Sequence, residues 1–203
     1  MPISLVAPSK GRLSVPSKQF ASKIGFPLPA TDRAYKAQAD NLSTIFARAR
    51  DIPYYVASGF ADFGITGRDI VLESAQQVYE IAELPFGDCG VVLASDSRIS
   101  SISDLEGGRI ATEFPVIAKS YLDSRGIVAE IIRLDGATEL AIATGLADAI
   151  IDISSSGKTL AENGLRIKDF VMASKAVLIA SKGSLSKADS ILEMIENMGA
   201  VRG

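Results

Sequence analysis

The 203-residue chain contains no histidine and no tryptophan, and Cys89 is its single cysteine. Without histidine, a Ser-His-Asp or Cys-His catalytic site and a histidine-ligated metal or haem are all excluded. One cysteine cannot build a disulfide framework within the chain or a zinc site of several cysteines. Because Cys89 begins an apolar strand, we interpret it as an inert core residue.

The charge is nearly balanced, with 21 Lys+Arg against 24 Asp+Glu and a formal net charge of −3. This balance argues against broad binding to nucleic acid or to anionic membranes, although it leaves room for a local basic pocket. Apolar stretches fall short of the roughly 20 residues that a membrane span needs. The segment from Met1 to Ala7 soon meets Lys10 and Arg12 and lacks the form of a signal peptide. We therefore expect a cytoplasmic protein with neither a membrane nor a nucleic acid as its partner.

Apolar runs of strand length alternate with helix-like segments along nearly the whole chain. We predict strands over 3–7, 42–46, 62–66, 78–84, 89–95, 109–112, 128–134, 149–153, 170–173 and 176–180. We predict helices over 15–24, 51–59, 68–75, 115–125, 137–145, 157–163 and 187–198. This alternation is typical of an α/β fold with buried, mainly parallel strands.

Two segments of the chain are similar to each other, and we call this similarity the internal echo. Gly59-Phe60-Ala61-Asp62-Phe63-Gly64-Ile65 is similar to Gly145-Leu146-Ala147-Asp148-Ala149-Ile150-Ile151. In both, a helix is predicted to end at glycine, and a small residue and an aspartate lead into an apolar strand. Two similar lobes facing a cleft would produce this pattern, and a chance likeness between two helix-to-strand turns would produce it equally well.

A candidate phosphate loop follows the strand that ends near Ile153. Ser154, Ser155, Ser156, Gly157, Lys158 and Thr159 lead into a predicted helix. The N-terminus of a helix offers unpaired N–H groups and partial positive charge, which suit a phosphate group. The same run is similar to the end of a Walker A loop, but that motif needs glycine at the position of Asp152. Taken alone, the loop would also fit a serine-rich turn that caps an ordinary helix.

The wider pattern around this loop resembles a known family. Ten defined positions fit between Glu139 and Leu160, a stretch of 22 residues: Glu139, Gly145, Ala147, Ile150, Asp152, Ile153, Ser156, Gly157, Thr159 and Leu160. Together they closely resemble the signature of the ATP phosphoribosyltransferases, which open histidine biosynthesis. Further segments fit the same family, namely 8–13, 50–53 followed by 62–69, and 109–115.

The resemblance implies a two-lobed fold of the type II periplasmic-binding-protein kind, with the active site in the interlobe cleft. We predict lobe I over residues 1–87 and 178–203, and lobe II over 88–177. The rival interpretation is a solute-binding protein that has the same two lobes, binds a small anion and performs no chemistry.

The family's reaction transfers phosphoribosyl from phosphoribosyl pyrophosphate to N1 of ATP and releases pyrophosphate. By resemblance, the loop from Ser154 to Thr159 would hold the ribose 5-phosphate, and Glu139 and Asp152 would bind the ribose hydroxyls. Lys10 and Arg12 would neutralise phosphates at the catalytic centre. The residues predicted to bind ATP or pyrophosphate are Lys10, Gly11, Arg12, Arg50 and Thr112; weaker candidates are Arg33, Arg48 and Arg68. Mg²⁺ is expected on the substrate phosphates, with no protein ligand assigned.

The chain has the length of the family's short form, which lacks a C-terminal regulatory domain. The resemblance therefore implies a homodimer of catalytic chains, in a hetero-oligomer with a regulatory subunit that is similar to histidyl-tRNA synthetase.

Overall fold

The computed structural model describes residues 3–31, 34–154 and 157–197. The chain divides into two compact units, one formed by Met1–Gly87 with Lys175–Gly203 and the other by Asp88–Ser174. We call them unit 1 and unit 2. The chain therefore leaves unit 1 after Gly87 and returns to it at Lys175. This return is close to the predicted boundary between 177 and 178.

Unit 1 is built on a six-stranded sheet with the strand order β2-β3-β1-β4-β11-β5. Its strands are β1 (Ile3–Pro8), β2 (Lys36–Ala39), β3 (Leu42–Ala47), β4 (Phe63–Gly67), β5 (Tyr79–Glu83) and β11 (Ala176–Ala180). Its helices are α1 (Ser14–Lys23), α2 (Ile52–Ala57), α3 (Arg68–Ser74) and α7 (Ala188–Glu196), with 3₁₀ turns at Ala49–Asp51 and Lys182–Lys187. The returning strand β11 lies between β4 and β5 and runs antiparallel to both.

Helices cover both faces of this sheet. Phe20 of α1 and Ile191 of α7 pack in one apolar cluster, while Ile52 and Val56 of α2 pack in another. The contact between α2 and β4 depends on Gly64, because a Cβ atom there would lie 2.6 Å from Cγ2 of Ile52. The small residue thus lets the helix pack close to the strand.

Unit 2 is built on a five-stranded sheet with the order β10-β6-β9-β7-β8. Its strands are β6 (Cys89–Ser95), β7 (Arg109–Thr112), β8 (Glu130–Arg133), β9 (Ala149–Ser154) and β10 (Arg166–Ser174). Its helices are α4 (Pro115–Arg125), α5 (Glu139–Ala143) and α6 (Lys158–Glu162), with a 3₁₀ turn at Ile102–Leu105. Helix α4 contributes to the cluster on one face, and α5 and α6 contribute to the cluster on the other.

The prediction of mainly parallel strands is wrong. Four strand pairings are parallel and five are antiparallel. Four of the antiparallel pairings involve β6 or β11, which are the first strands after the chain passes from one unit to the other. Neither strand is reached through a β-helix-β crossover within its own sheet, so nothing requires it to be parallel to its neighbours.

The internal echo is a structural repeat. Gly59 and Gly145 both adopt positive φ, at 74° and 72°. The N–H groups of Ala61 and Ala147 donate to the carbonyls of Tyr55 and Ala141, six residues earlier in each case.

The two aspartates of the echo have the same role. Oδ2 of Asp62 accepts a hydrogen bond from the N–H of Ser4 in β1, and Oδ2 of Asp148 accepts one from the N–H of Arg109 in β7, each at 2.9 Å. Strands β1 and β7 are the parallel neighbours of β4 and β9, the strands that these aspartates precede. Each aspartate thus joins the start of the strand that it precedes to the start of that strand's parallel neighbour in the sheet.

In the part of the chain that the structure describes, no helix is both long and apolar enough to span a membrane.

Candidate active site

The predicted phosphate loop lies at the C-terminal end of β9. Ser154 is the last residue of that strand, and its Oγ accepts a hydrogen bond of 2.9 Å from the N–H of Gly157. Gly157 has a φ of 70° and immediately precedes α6. Its left-handed conformation is one that glycine adopts without steric cost. Ser155 and Ser156 lie outside the described residues.

The two basic or hydroxyl residues that begin α6 are exposed. Lys158 keeps 79% of its side chain accessible, and its Nζ lies 3.9 Å from Oε1 of Glu162, one helical turn later. Thr159 is also exposed.

Asp152 lies on β9, two residues before the loop, and is partly buried. Its Oδ2 accepts a hydrogen bond from the hydroxyl of Thr138, and its Oδ1 accepts one of 2.6 Å from the N–H of Ile153. Thr138 directly precedes Glu139, the first residue of α5. The bond between Thr138 and Asp152 therefore holds the start of α5 against β9. It brings Glu139 to the same end of the sheet as Asp152, where β9 finishes.

Thr112, at the end of β7, uses its hydroxyl within the fold. The side chain is fully buried. Its Oγ1 donates to the carbonyl of Ile151 at 2.6 Å and accepts from the N–H of Phe114 at 2.8 Å. These bonds join the end of β7 to the middle of β9 and fix the start of α4.

The basic loop of unit 1 follows β1. Lys10 is exposed, and Gly11 has a φ of 81°. Arg12 bends back into the unit, where its Nη1 donates to the carbonyl of Gly87 at 2.6 Å and its Nη2 lies 3.1 Å from Oδ1 of Asp69. Asp69 is fully buried in α3. Of the predicted basic pair, the structure leaves Lys10 at the surface and gives Arg12 two partners within unit 1.

The other arginines of unit 1 differ in their surroundings. Arg48 and Arg50 are exposed; Arg48 directly precedes, and Arg50 lies within, the 3₁₀ turn before α2. Arg68 pairs with Glu80 and with Glu83, and these carboxylates raise the pKa of its guanidinium above the ordinary value for arginine. Arg33 lies outside the described residues.

Within each unit, the predicted residues fall into groups. Unit 2 brings together Glu139, Asp152, Ser154 and Gly157. Unit 1 carries Lys10, Gly11, Arg12 and Arg50. Thr138 was not among the predicted site residues, although its place directly before Glu139 was a usable signal. Asp69 was also absent from the predicted site, although it ends a segment that resembles the family; its pairing with Arg12, 57 residues away, has no local signal in the sequence.

The sequence pattern that defines the ATP phosphoribosyltransferases matches residues 48–200 of this chain, well over half of its length. The chain belongs to the ATP phosphoribosyltransferase family. The ATP phosphoribosyltransferase of Methanosarcina mazei is 40% identical over 198 residues, covering 95% of this chain and 68% of that protein. The Methanothermobacter thermautotrophicus protein is 40% identical over 209 residues, covering 100% of this chain and 72% of its own length.

Solved structures agree with this assignment. A chain from the ATP phosphoribosyl transferase (HisG:HisZ) complex of Thermotoga maritima matches with a TM-score of 0.85 and 30% identity, covering 97% of this chain and 98% of that one. Holo ArgBP from Thermotoga maritima matches with a TM-score of 0.61 and 15% identity, covering 97% and 90% of the two chains. At that identity it shares the fold alone. The predicted fold class, which is of the type II periplasmic-binding-protein kind, is confirmed.

As an ATP phosphoribosyltransferase, the protein is a pentosyltransferase of histidine biosynthesis that uses ATP and phosphoribosyl pyrophosphate. The rival interpretation as a solute-binding protein without catalysis is not favoured, because the sequence identity lies with the enzymes and the binding proteins share only the fold.

Proposed function

We propose that the loop from Ser154 to Thr159 binds the 5-phosphate of phosphoribosyl pyrophosphate. The observation that carries this proposal is the grouping of Ser154, Gly157, Asp152 and Glu139 at the C-terminal end of β9. A glycine in the left-handed region lets the backbone approach a phosphate closely, and the hydroxyls of the loop add donors. Ligands of α/β sheets commonly bind at the C-terminal ends of strands.

Asp152 and Glu139 are proposed to hold the ribose. A carboxylate accepts hydrogen bonds from hydroxyls, so two such groups beside the phosphate loop suit the ribose diol. Their negative charge also favours the positive charge that develops on the ribose ring as pyrophosphate leaves.

The chemistry needs no general base on the enzyme. The lone pair on N1 of adenine forms the new bond to C1 of the ribose, and the bond from C1 to pyrophosphate breaks and leaves its electrons on the departing oxygen. The residues would therefore act by positioning the two substrates and by stabilising charge. This fits a chain without histidine.

On unit 1, we propose that Lys10 and Arg50 contact phosphates of ATP or pyrophosphate, since both side chains lie at the surface. Gly11 would shape that loop through its positive φ. The guanidinium of Arg12 is already bonded to Asp69, so a phosphate would either bind beside that pair or displace Asp69 from it. For Thr112 we propose an indirect part, because its hydroxyl joins β7 to β9. Mg²⁺ would enter bound to substrate phosphates, where it keeps several waters.

The charge of Asp152 gives the direct test. Asp152→Asn keeps the size of the side chain and removes the charge, so we expect turnover to fall by about a hundredfold or more. The assay follows the formation of N1-substituted adenine from ATP and phosphoribosyl pyrophosphate, and thermal unfolding checks that the variant is folded. The control is Asp123→Asn, an exposed residue of α4. Turnover of Asp152→Asn within a few-fold of the parent would remove Asp152 from the site.

We also propose that this chain works with a regulatory subunit in a hetero-oligomer that contains a dimer of catalytic chains. The support is the near-complete match to a chain of the HisG:HisZ complex. Size-exclusion chromatography with light scattering, done with and without a histidyl-tRNA-synthetase-like subunit, measures the assembly. A catalytic chain that stayed monomeric and never shifted on mixing would contradict the proposal.

A further inference from the structure

Thr138 stands at the junction between a strained turn and α5. Gly136 and Ala137 both have positive φ, of 91° and 45°. For alanine this conformation is sterically unfavourable, so the surrounding structure must hold it. The turn delivers Thr138 to the start of α5, where its carbonyl accepts from the N–H of Ala141.

The hydroxyl of Thr138 does not cap the helix that it precedes, which is the usual role of threonine at a helix start. Threonine at the start of a helix commonly accepts a hydrogen bond from an N–H of the first turn. Here Thr138 has helical φ and ψ, and its side chain caps none of those N–H groups. The fully buried hydroxyl donates to Oδ2 of Asp152 instead.

This bond fixes the orientation of the Asp152 carboxylate. One oxygen accepts from Thr138 and the other accepts from the N–H of Ile153. A carboxylate oxygen has two lone pairs, so one that accepts from a protein donor can also accept from a ligand hydroxyl. Two donors on different elements therefore hold the carboxylate in one orientation.

We propose that Thr138 is a positioning residue for phosphoribosyl transfer, which aligns Asp152 to accept hydrogen bonds from the ribose hydroxyls. This inference rests on the proposed role of Asp152. It assigns to the Thr138 hydroxyl a part in binding phosphoribosyl pyrophosphate that goes beyond holding α5 against β9.

Two substitutions separate the hydroxyl from the shape of the side chain. Thr138→Val keeps the branched shape and removes the donor, whereas Thr138→Ser keeps the donor. We expect Thr138→Val to lower kcat/KM for phosphoribosyl pyrophosphate by about tenfold to a hundredfold, with KM for ATP within about twofold of the parent. Thr138→Ser should recover most of the loss. The matched control is Thr144→Val, since Thr144 lies at the other end of α5 and its hydroxyl donates to the helix carbonyls of Leu140 and Ala141.

A double-mutant cycle tests whether Thr138 acts through Asp152. In an Asp152→Ala background, Thr138→Val should change kcat/KM by less than about twofold, because the acceptor is already gone. Calorimetric binding of phosphoribosyl pyrophosphate to the four proteins provides a second readout that is independent of turnover.

The outcomes distinguish the two proposals. If Asp152→Ala is impaired and Thr138→Val is not, or if their effects multiply, the inference about Thr138 is overturned and the role of Asp152 stands. If Asp152→Ala is fully active, the role of Asp152 fails, and a role for Thr138 through Asp152 fails with it.

Discussion

Nη2 of Arg12 lies 3.1 Å from Oδ1 of Asp69, and the Asp69 side chain is fully buried. The same guanidinium donates to the carbonyl of Gly87, the last residue of unit 1 before the chain enters unit 2. Gly67 makes room for this pair, because a Cβ atom there would lie 2.2 Å from Oδ1 of Asp69. A residue predicted to neutralise phosphate thus also joins three segments of unit 1.

Removal of Arg12 should therefore lower stability as well as activity. Arg12→Ala leaves a buried carboxylate without its guanidinium partner, and we expect the free energy of unfolding to fall by about 1–3 kcal/mol. Urea denaturation measures the loss. Gly67→Ala should reproduce the loss with Arg12 still in the sequence, because the added Cβ would lie 2.2 Å from Oδ1 of Asp69 and 3.3 Å from Nη2 of Arg12. At Gly183 an added Cβ would lie 3.9 Å from Oγ of Ser181, so Gly183→Ala should change stability by less than about 0.5 kcal/mol. Equal stability of Gly67→Ala and Gly183→Ala would contradict this account of the pair.

Asp62 should make stability depend on pH in the acid range. Burial acts to raise its pKa, but hydrogen bonds from Lys187, Ser4 and Ser184 outweigh burial and hold the pKa below its ordinary value. A lowered pKa in the folded state adds stability above the unfolded value of about 3.9, and that stability is lost as the pH falls through the folded pKa.

The comparison of the parent with Asp62→Asn by chemical denaturation tests this dependence. The difference in unfolding free energy should be constant above about pH 5 and should shrink below about pH 4. Asp123→Asn serves as the exposed control. A difference that stays unchanged down to about pH 2 would rule out the ionised form of Asp62 as its source.

The hydroxyl of Thr112 should matter for folding more than for ATP binding. Thr112→Val removes both the donor to Ile151 and the acceptor for Phe114, in a fully buried position. We expect a loss of about 1–3 kcal/mol, and a smaller loss for Thr112→Ser, which keeps the hydroxyl. Thermal unfolding gives the stability and steady-state kinetics give KM for ATP. A large rise in KM for ATP in Thr112→Val without any loss of stability would instead favour direct contact with the nucleotide.

Ala75 offers a stabilising substitution. It follows α3 with a φ of 52°, in the left-handed region that glycine enters without steric cost. We expect Ala75→Gly to raise the free energy of unfolding by about 0.5–1 kcal/mol. Ala57→Gly, at a helical position in α2, should lower it by about the same amount. If both substitutions destabilised the protein equally, the conformation at Ala75 would not be the controlling factor.

Sequence patterns predicted the elements whose signals are local. Strand β6 and helix α4 begin and end at the predicted residues, because apolar runs and the proline at the start of α4 are visible in the sequence. Strand β2 was missed because Lys36–Ala39 has no apolar side chain larger than alanine and is mostly exposed; it forms by pairing with β3 across the turn at Asp40 and Asn41. Strand β10 was predicted too short for a similar reason, since its first residues, Arg166 to Asp169, are mostly polar.

The candidate site could be predicted where one stretch of sequence carries it. Glu139, Asp152 and the loop fall within 22 residues, so a motif could find them. The pairing of Arg12 with Asp69, and the bonds of Asp62 to Ser184 and Lys187 more than 120 residues away, arise only when the sheet of unit 1 has formed. Such contacts depend on topology, which local composition does not encode.

The position of β11 inside the sheet of unit 1 fixes an order of events during synthesis on the ribosome. Strand β4, whose five residues are all buried, borders β11, and β11 is made only after all of Asp88–Ser174. Until β11 has been made, the side of β4 that will pair with it is therefore an unpaired sheet edge. Such an edge is a site for unwanted strand pairing. The strands of unit 2 are contiguous in the chain, so the sheet that is second in sequence can be completed first.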